Sequence, residues 1–144
     1  MKWLILFHVL GATVWAGGHL ILATVFLPKA LRDKNPDFIL GFEKQFEQIG
    51  IPALLVQVIT GIWMALIYVP FGQWWQFSTS HHILLWTKLG LLLGTIGLAI
   101  HARFFLIPKL KAETLPTLAF HIALVTVIAI MFILTGLSFR FTYF

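Results

Sequence analysis

The sequence predicts an all-α integral membrane protein, a four-helix bundle with both termini extracytoplasmic, forming a single transmembrane domain over residues 1–144. Three observations lead there. Four apolar runs are each long enough to cross about 30 Å of hydrocarbon, which takes roughly 20 helical residues. Of the 144 residues, 60% are hydrophobic and 10% charged, more apolar surface than a soluble core with its polar shell would hide. The basic residues gather in alternate loops: Lys29, Arg32, Lys34, Lys44, Lys109 and Lys111 on one side, only Lys2 and Arg140 on the other. The positive-inside rule places the first group in the cytoplasm.

The first span is expected over about residues 3–27, ending at Pro28-Lys29. It is too long for a signal peptide and shows no small-residue cleavage site, so it is read as retained. A polar connection covers residues 29–37. The second span occupies about 51–69. Its helix is expected to begin near residue 38, because Phe38, Phe42, Phe46 and Ile49 recur at helical spacing beside Glu43, Lys44, Glu47 and Gln48. That pattern describes an amphipathic extension on the cytoplasmic side. Pro52 should kink this helix or mark where it meets the membrane. An uncharged linker follows, whose Phe71, Trp74, Trp75 and Phe77 suit the interfacial aromatic belt. The third span runs over about 83–107 to Pro108, and the fourth over about 116–137.

Composition also excludes functions. Without cysteine there is no disulfide, iron–sulfur cluster, thiolate copper site or thioether-linked haem. The net charge of +5 flanks apolar segments instead of forming a stripe, which speaks against nucleic acid. All five acidic residues fall in cytoplasmic segments, so a proton- or cation-coupled transporter built on an intramembrane carboxylate is not expected.

What the spans do contain is histidine. His8, His19, His101 and His121 lie within or at the edge of apolar segments, where an imidazole without a partner is costly. At about 1.5 Å per residue, His19, His101 and His121 fall in the cytoplasmic half, roughly 6 to 10 Å from the midplane. His8 lies at a similar depth in the outer half, Lys88 at the outer level, and His81 and His82 at or just beyond the outer surface. His8 and His19 share one helix face with Trp15, bordered by Gly11, Ala12 and Gly18. His101 continues a row of Gly90, Gly94 and Gly97, a stripe that would let a helix, a flat macrocycle or a second protomer approach closely. Lys88 points roughly away from that stripe, toward the outer interface.

Three imidazoles from three spans at one depth suggest a bound centre. Haem b needs one or two neutral imidazoles and an apolar slot. The expected arrangement pairs His19 with His121 or His101 around one haem. His8, with His81 or His82, would hold a second, about 16 Å away along the first helix. Arg103 and Lys109 are candidates for the inner propionates. Copper is the competitor, since imidazole suits copper, zinc and iron alike. Met1, Met64 and Met131 are too scattered for a thioether relay.

The chain also resembles a known family. Phe7-His8-Val9-Leu10-Gly11 with Trp15-Ala16-Gly17-Gly18, a second helix containing Thr60-Gly61, and Lys88-Leu89 followed by Arg103 and Pro108-Lys109-Leu110 are similar to the membrane domain of the copper-resistance protein D (CopD) family. They are more distantly similar to the HemJ protoporphyrinogen oxidases. The resemblance implies a four-helix bundle of the bacterial inner membrane, concerned with copper or with haem and porphyrin redox chemistry. In the HemJ case it gives prominence to His8 and Lys88. The leading expectation is a b-type cytochrome moving electrons to an unidentified redox partner or quinone. The alternatives are a CopD-type copper transport or tolerance protein and a HemJ-like oxidase.

Overall fold

The computed structural model describes residues 1–141, with side chains to Phe139; the Arg140 side chain, counted above on the outer side, lies outside the described part. Among the described residues the regular structure is helical throughout. Four continuous helical stretches, Lys2–Asp33, Asp37–Tyr68, Ser80–Lys109 and Ala112–Phe139, are long and apolar enough to cross a membrane. The protein is therefore a multi-pass membrane protein whose outer surface meets lipid. Side chains such as Trp3, Ile59, Leu93 and Phe120 are exposed on it.

The first stretch is α1 (Lys2–Ile21), a π-helical turn (Leu22–Phe26) and α2 (Leu27–Asp33). It runs past Pro28, where the sequence suggested a stop. The same construction recurs in the third stretch, where α4 (Ser80–His101) passes into a π turn (Ala102–Leu106) just ahead of Pro108. A proline cannot donate to the carbonyl four residues back, and its ring crowds that carbonyl. Widening the preceding turn relieves the crowding and lets the helix continue. The connection after the first stretch is thus only Lys34 to Pro36. Lys34 closes α2 in the left-handed conformation, φ 50°, and the Asn35 side-chain oxygen accepts a 2.9 Å bond from the Asp37 amide to start the next helix. That helix, α3 (Asp37–Tyr68), continues through Pro52. After the fourth stretch begins, α5 (Leu115–Phe141) completes the bundle.

Packing orders the helices as α3, α1, α5, α4: α1 lies most extensively on α3, α5 on α1, and α4 on α5. The backbones of α3 and α4 do not come close to one another. At the charged-loop end Leu22, Leu27, Ala30, Ile39, Leu115, Leu118 and Ile122 form the largest buried cluster. A smaller one, Trp15, Ala16 and Ala129, lies deeper.

Helices in lipid gain little from hiding apolar surface, so close packing of small residues sets the contact. At Gly11 a Cβ would come within 2.7 Å of the Ala53 carbonyl oxygen. At Gly18 it would collide with the Phe46 ring, which also presses on Gly50 and is hemmed in by Trp15, His19 and Phe42. Gly17, on the next face, meets nothing within 4 Å. Gly18→Leu should therefore lower stability by about 2 kcal/mol through overpacking, whereas Gly17→Leu should stay within about 0.5 kcal/mol. Thermal unfolding of the two variants in one detergent measures the difference.

Candidate imidazole sites

The structure divides the membrane histidines into three settings. His8, half-buried on α1, hydrogen-bonds through Nδ1 to the Gln57 carbonyl at 3.0 Å and to Thr60 Oγ1 at 3.1 Å. The Thr60 hydroxyl donates to the Val56 carbonyl at 2.6 Å, so its oxygen accepts from His8. Gly61 makes room for the ring, its Cβ position lying 3.0 Å from His8 Cε1. Beside this group the Gln57 Oε1 atom is buried with no hydrogen-bond partner.

His19, half-buried, donates from Nδ1 to the Trp15 carbonyl one turn back, 2.9 Å away. Its ring lies 4.5 Å from the Trp15 ring and meets Phe46 edge-on at 5.7 Å. The Thr126 hydroxyl reaches the His19 carbonyl at 3.3 Å, tying α5 to this turn of α1.

His101 and His121 meet across the α4–α5 contact. His101 Nδ1 and His121 Nε2 are 3.3 Å apart, and His101 also stacks on Phe105, ring centroids 5.5 Å apart. Of the three histidines placed at one depth by the sequence, these two touch. His19 joins His121 differently: both line a cavity of about 290 Å³. The cavity occupies the gap between α3 and α4, and Glu43, Glu47 and Arg103 also line it. Arg103 Nη1 bonds Glu47 Oε1 at 3.0 Å. Lys109 is exposed in the 3-10 turn beyond. Among the described residues no group of three or more His, Cys, Asp or Glu side chains stands ready to hold a metal ion.

At the opposite end, His82 is buried and bonded to Thr79 Oγ1 at 2.8 Å, at the start of α4. His81 packs against Phe139 at 5.7 Å. Two face assignments differ from expectation. The buried face of α4 carries His82, Leu85 and Thr95, while Gly90 and Gly97 meet nothing within 4 Å and Gly94 only touches Ile128. Glycine has no side chain to bury, so the larger residues take the interior. Lys88 consequently turns inward: its Nζ lies 4.9 Å from the Phe139 ring, over its face, and close to Gly136. The face of an aromatic ring attracts an amine nitrogen that carries positive charge.

The hydrogen bonds also assign tautomers. A backbone carbonyl only accepts, so the Nδ1 of both His8 and His19 must carry the proton, leaving Nε2 as the basic nitrogen of the neutral ring. Histidine 15N NMR of the protein in detergent should show both as the Nδ1–H form; an Nε2–H signal for either contradicts the arrangement.

Compared with known proteins, the chain matches no curated protein and no solved structure. A family model does match, that of copper resistance protein D, over residues 40–139. The matched part takes in nearly all of α3, all of α4, and α5 as far as Phe139, including Lys88, His101, Arg103 and His121. His8 and His19 precede it. With a match over well over half of its length, this chain belongs to the copper resistance protein D (CopD) family.

Proposed function

We propose that this protein handles copper in the bacterial inner membrane, as a transport or tolerance protein of the CopD type that takes the ion as cargo onto the His101–His121 pair. Both termini face outward and the charged loops the cytoplasm, in keeping with the basic residues, and residues 1–144 act as one domain. The observation that carries the reading is the family match over α3 to α5, because it contains both members of the imidazole pair.

Chemistry supports the choice. Two metal–nitrogen bonds of about 2.0 Å at a roughly tetrahedral angle place their nitrogens about 3.3 Å apart. The His101–His121 separation, 3.3 Å, is close to that chord, so a small turn of the rings brings both nitrogens within reach of one ion. Imidazole is a suitable copper ligand. Two protein ligands rather than three or four leave coordination positions open, which suits an ion that must depart again better than a resident cofactor. Haem b fits this pair poorly. Axial imidazoles stand on opposite faces of a macrocycle, and two nitrogens at hydrogen-bond distance leave no room for one. The cavity shared by His19 and His121, about 290 Å³, lies at the small end of ligand-binding sites.

The test is direct. Purified protein should bind one Cu(I) per chain, and His101→Ala or His121→Ala should weaken binding at least about tenfold, as expected when a ligand and its neighbour's orientation are lost. His81→Ala should leave it unchanged. Deleting the gene should alter copper tolerance, restored by the wild type and not by either His variant. A Soret band that moves on dithionite reduction, with no copper bound, would return haem to first place.

A further inference from the structure

We infer that this protein holds one anionic phospholipid at its charged-loop end, an acyl chain lying in the phenylalanine-lined groove between the end of the first helical stretch and the start of α3, and the phosphate resting on Lys29. Such a site stands or falls apart from the copper reading.

The groove has a volume of about 450 Å³ and is lined chiefly by Phe26, Phe38, Gly41, Phe42, Phe46 and Ile49. A row of rings runs along it. Phe26 packs on Phe42 with centroids 4.8 Å apart, and Phe42 stacks on Phe46 at 5.4 Å. Helical spacing puts the lining positions of α3 on one face. That face is open, with Gly41 exposed and Ile49 62% exposed. Gly41 keeps the groove clear midway, since a Cβ there would meet nothing within 4 Å.

Position decides the occupant. Phe46 packs against His19, which helical rise puts within the hydrocarbon. Phe38 lies eight residues nearer the charged loops, about 12 Å further along the helix. Half of the apolar layer measures about 15 Å, so the groove begins among acyl chains and ends among headgroups. At its inner end the solvent is acyl chain. Charge then selects among lipids. Lys29 Nζ stands over the Phe38 ring, 4.2 Å from its centroid, at the headgroup end. Among the described residues Lys29 forms no salt bridge, whereas Arg32 is already bonded to Asp33 at 2.9 Å. Lys34 ends α2 on the same side of the membrane. Asp37 and Gln45 also line the groove, but two ammonium groups against one carboxylate leave its mouth positive. Basic side chains at the cytoplasmic ends of membrane helices suit anionic headgroups, and an ammonium already stationed there loses less freedom on binding.

Native mass spectrometry of the full chain in neutral detergent reads the site, with phosphatidylglycerol or phosphatidylethanolamine of matched acyl chains added. One phosphatidylglycerol should stay bound per chain, at least about fivefold more tightly than phosphatidylethanolamine. Lys29→Gln should weaken phosphatidylglycerol about fivefold, the effect of one basic side chain at a membrane surface, and leave phosphatidylethanolamine unchanged. Lys29→Arg should keep the binding. Gly41→Leu fills the groove from a position with room for a side chain and should weaken both lipids at least about fivefold. Gly17→Leu, where a side chain also has room, should weaken neither. Lys29 is exposed, so its variants fold whatever becomes of Gly41→Leu. Equal affinity for the two lipids overturns the anionic site. Wild-type binding by Lys29→Gln overturns Lys29 as the seat of the phosphate, and wild-type binding by Gly41→Leu overturns the groove as the seat of the chain.

Discussion

The close approach of α1 to α3 is the contact on which the remaining arrangement depends. In lipid, two apolar helices have no solvent-driven reason to associate, and dispersion and hydrogen bonds must suffice. Both fall off steeply with distance, so the backbones have to come near. Gly11 permits this against Ala53, Gly61 opens a seat for the His8 ring, and Gly18 and Gly50 leave room for the Phe46 ring between the helices. His8 then supplies the polar bond of the contact, reaching Gln57 and Thr60 on α3. With α3 held on one flank of α1, α5 takes another, and α4 attaches chiefly to α5. The gap left between α3 and α4 follows from that order, and the cavity is the gap.

The spans were legible because a hydrocarbon layer imposes a length and a composition that few other structures satisfy. The ends of the first helix were not, and the reason is local. Pro28 reads as a stop if the turn before it is regular. Here the turn is widened over Leu22–Phe26, and nothing in those five apolar residues announces it. Pro108 follows its own widened turn in the same way, so the repeated relation of π turn to proline becomes visible only when both are seen. The extension of α3 before the membrane was readable from Phe38, Phe42 and Phe46, since their spacing needs one buried face, and these rings do pack against α1 and its continuation.

Helical rise orders the histidines along the spans, but the direction each ring takes is not contained in it. Helical rise alone puts His19, His101 and His121 at one level. Whether they meet depends on which face each helix turns inward, and on α4 the glycine row gave a false bearing. Small residues mark a close contact on α1, where Gly11 and Gly18 are buried. On α4 the same residue type at Gly90 and Gly97 is left open, because Leu85 and Thr95 claim the interior. A glycine stripe therefore says that an approach is allowed, not that one occurs. The inward turn of Lys88 follows from the same rotation. Arg103 and Glu47 were each visible in the sequence as isolated charges; their pairing depends on the π turn and had no local signal.

The two ends of the bundle differ in charge chemistry in a way that bears on a positively charged cargo. All five acidic side chains lie in the segments at the charged-loop end, and Glu43 and Glu47 line the cavity there. Toward the other end the interior offers Lys88 beside an aromatic ring and the neutral groups around His8. The carboxylates and Lys88 thus stand toward opposite ends of the bundle. On the copper reading this asymmetry, together with the gap between α3 and α4, makes the charged-loop side the natural route for exchange. The imidazole pair, with His101 exposed and His121 half-buried, lies between the lipid-facing surface and the cavity lined by those carboxylates.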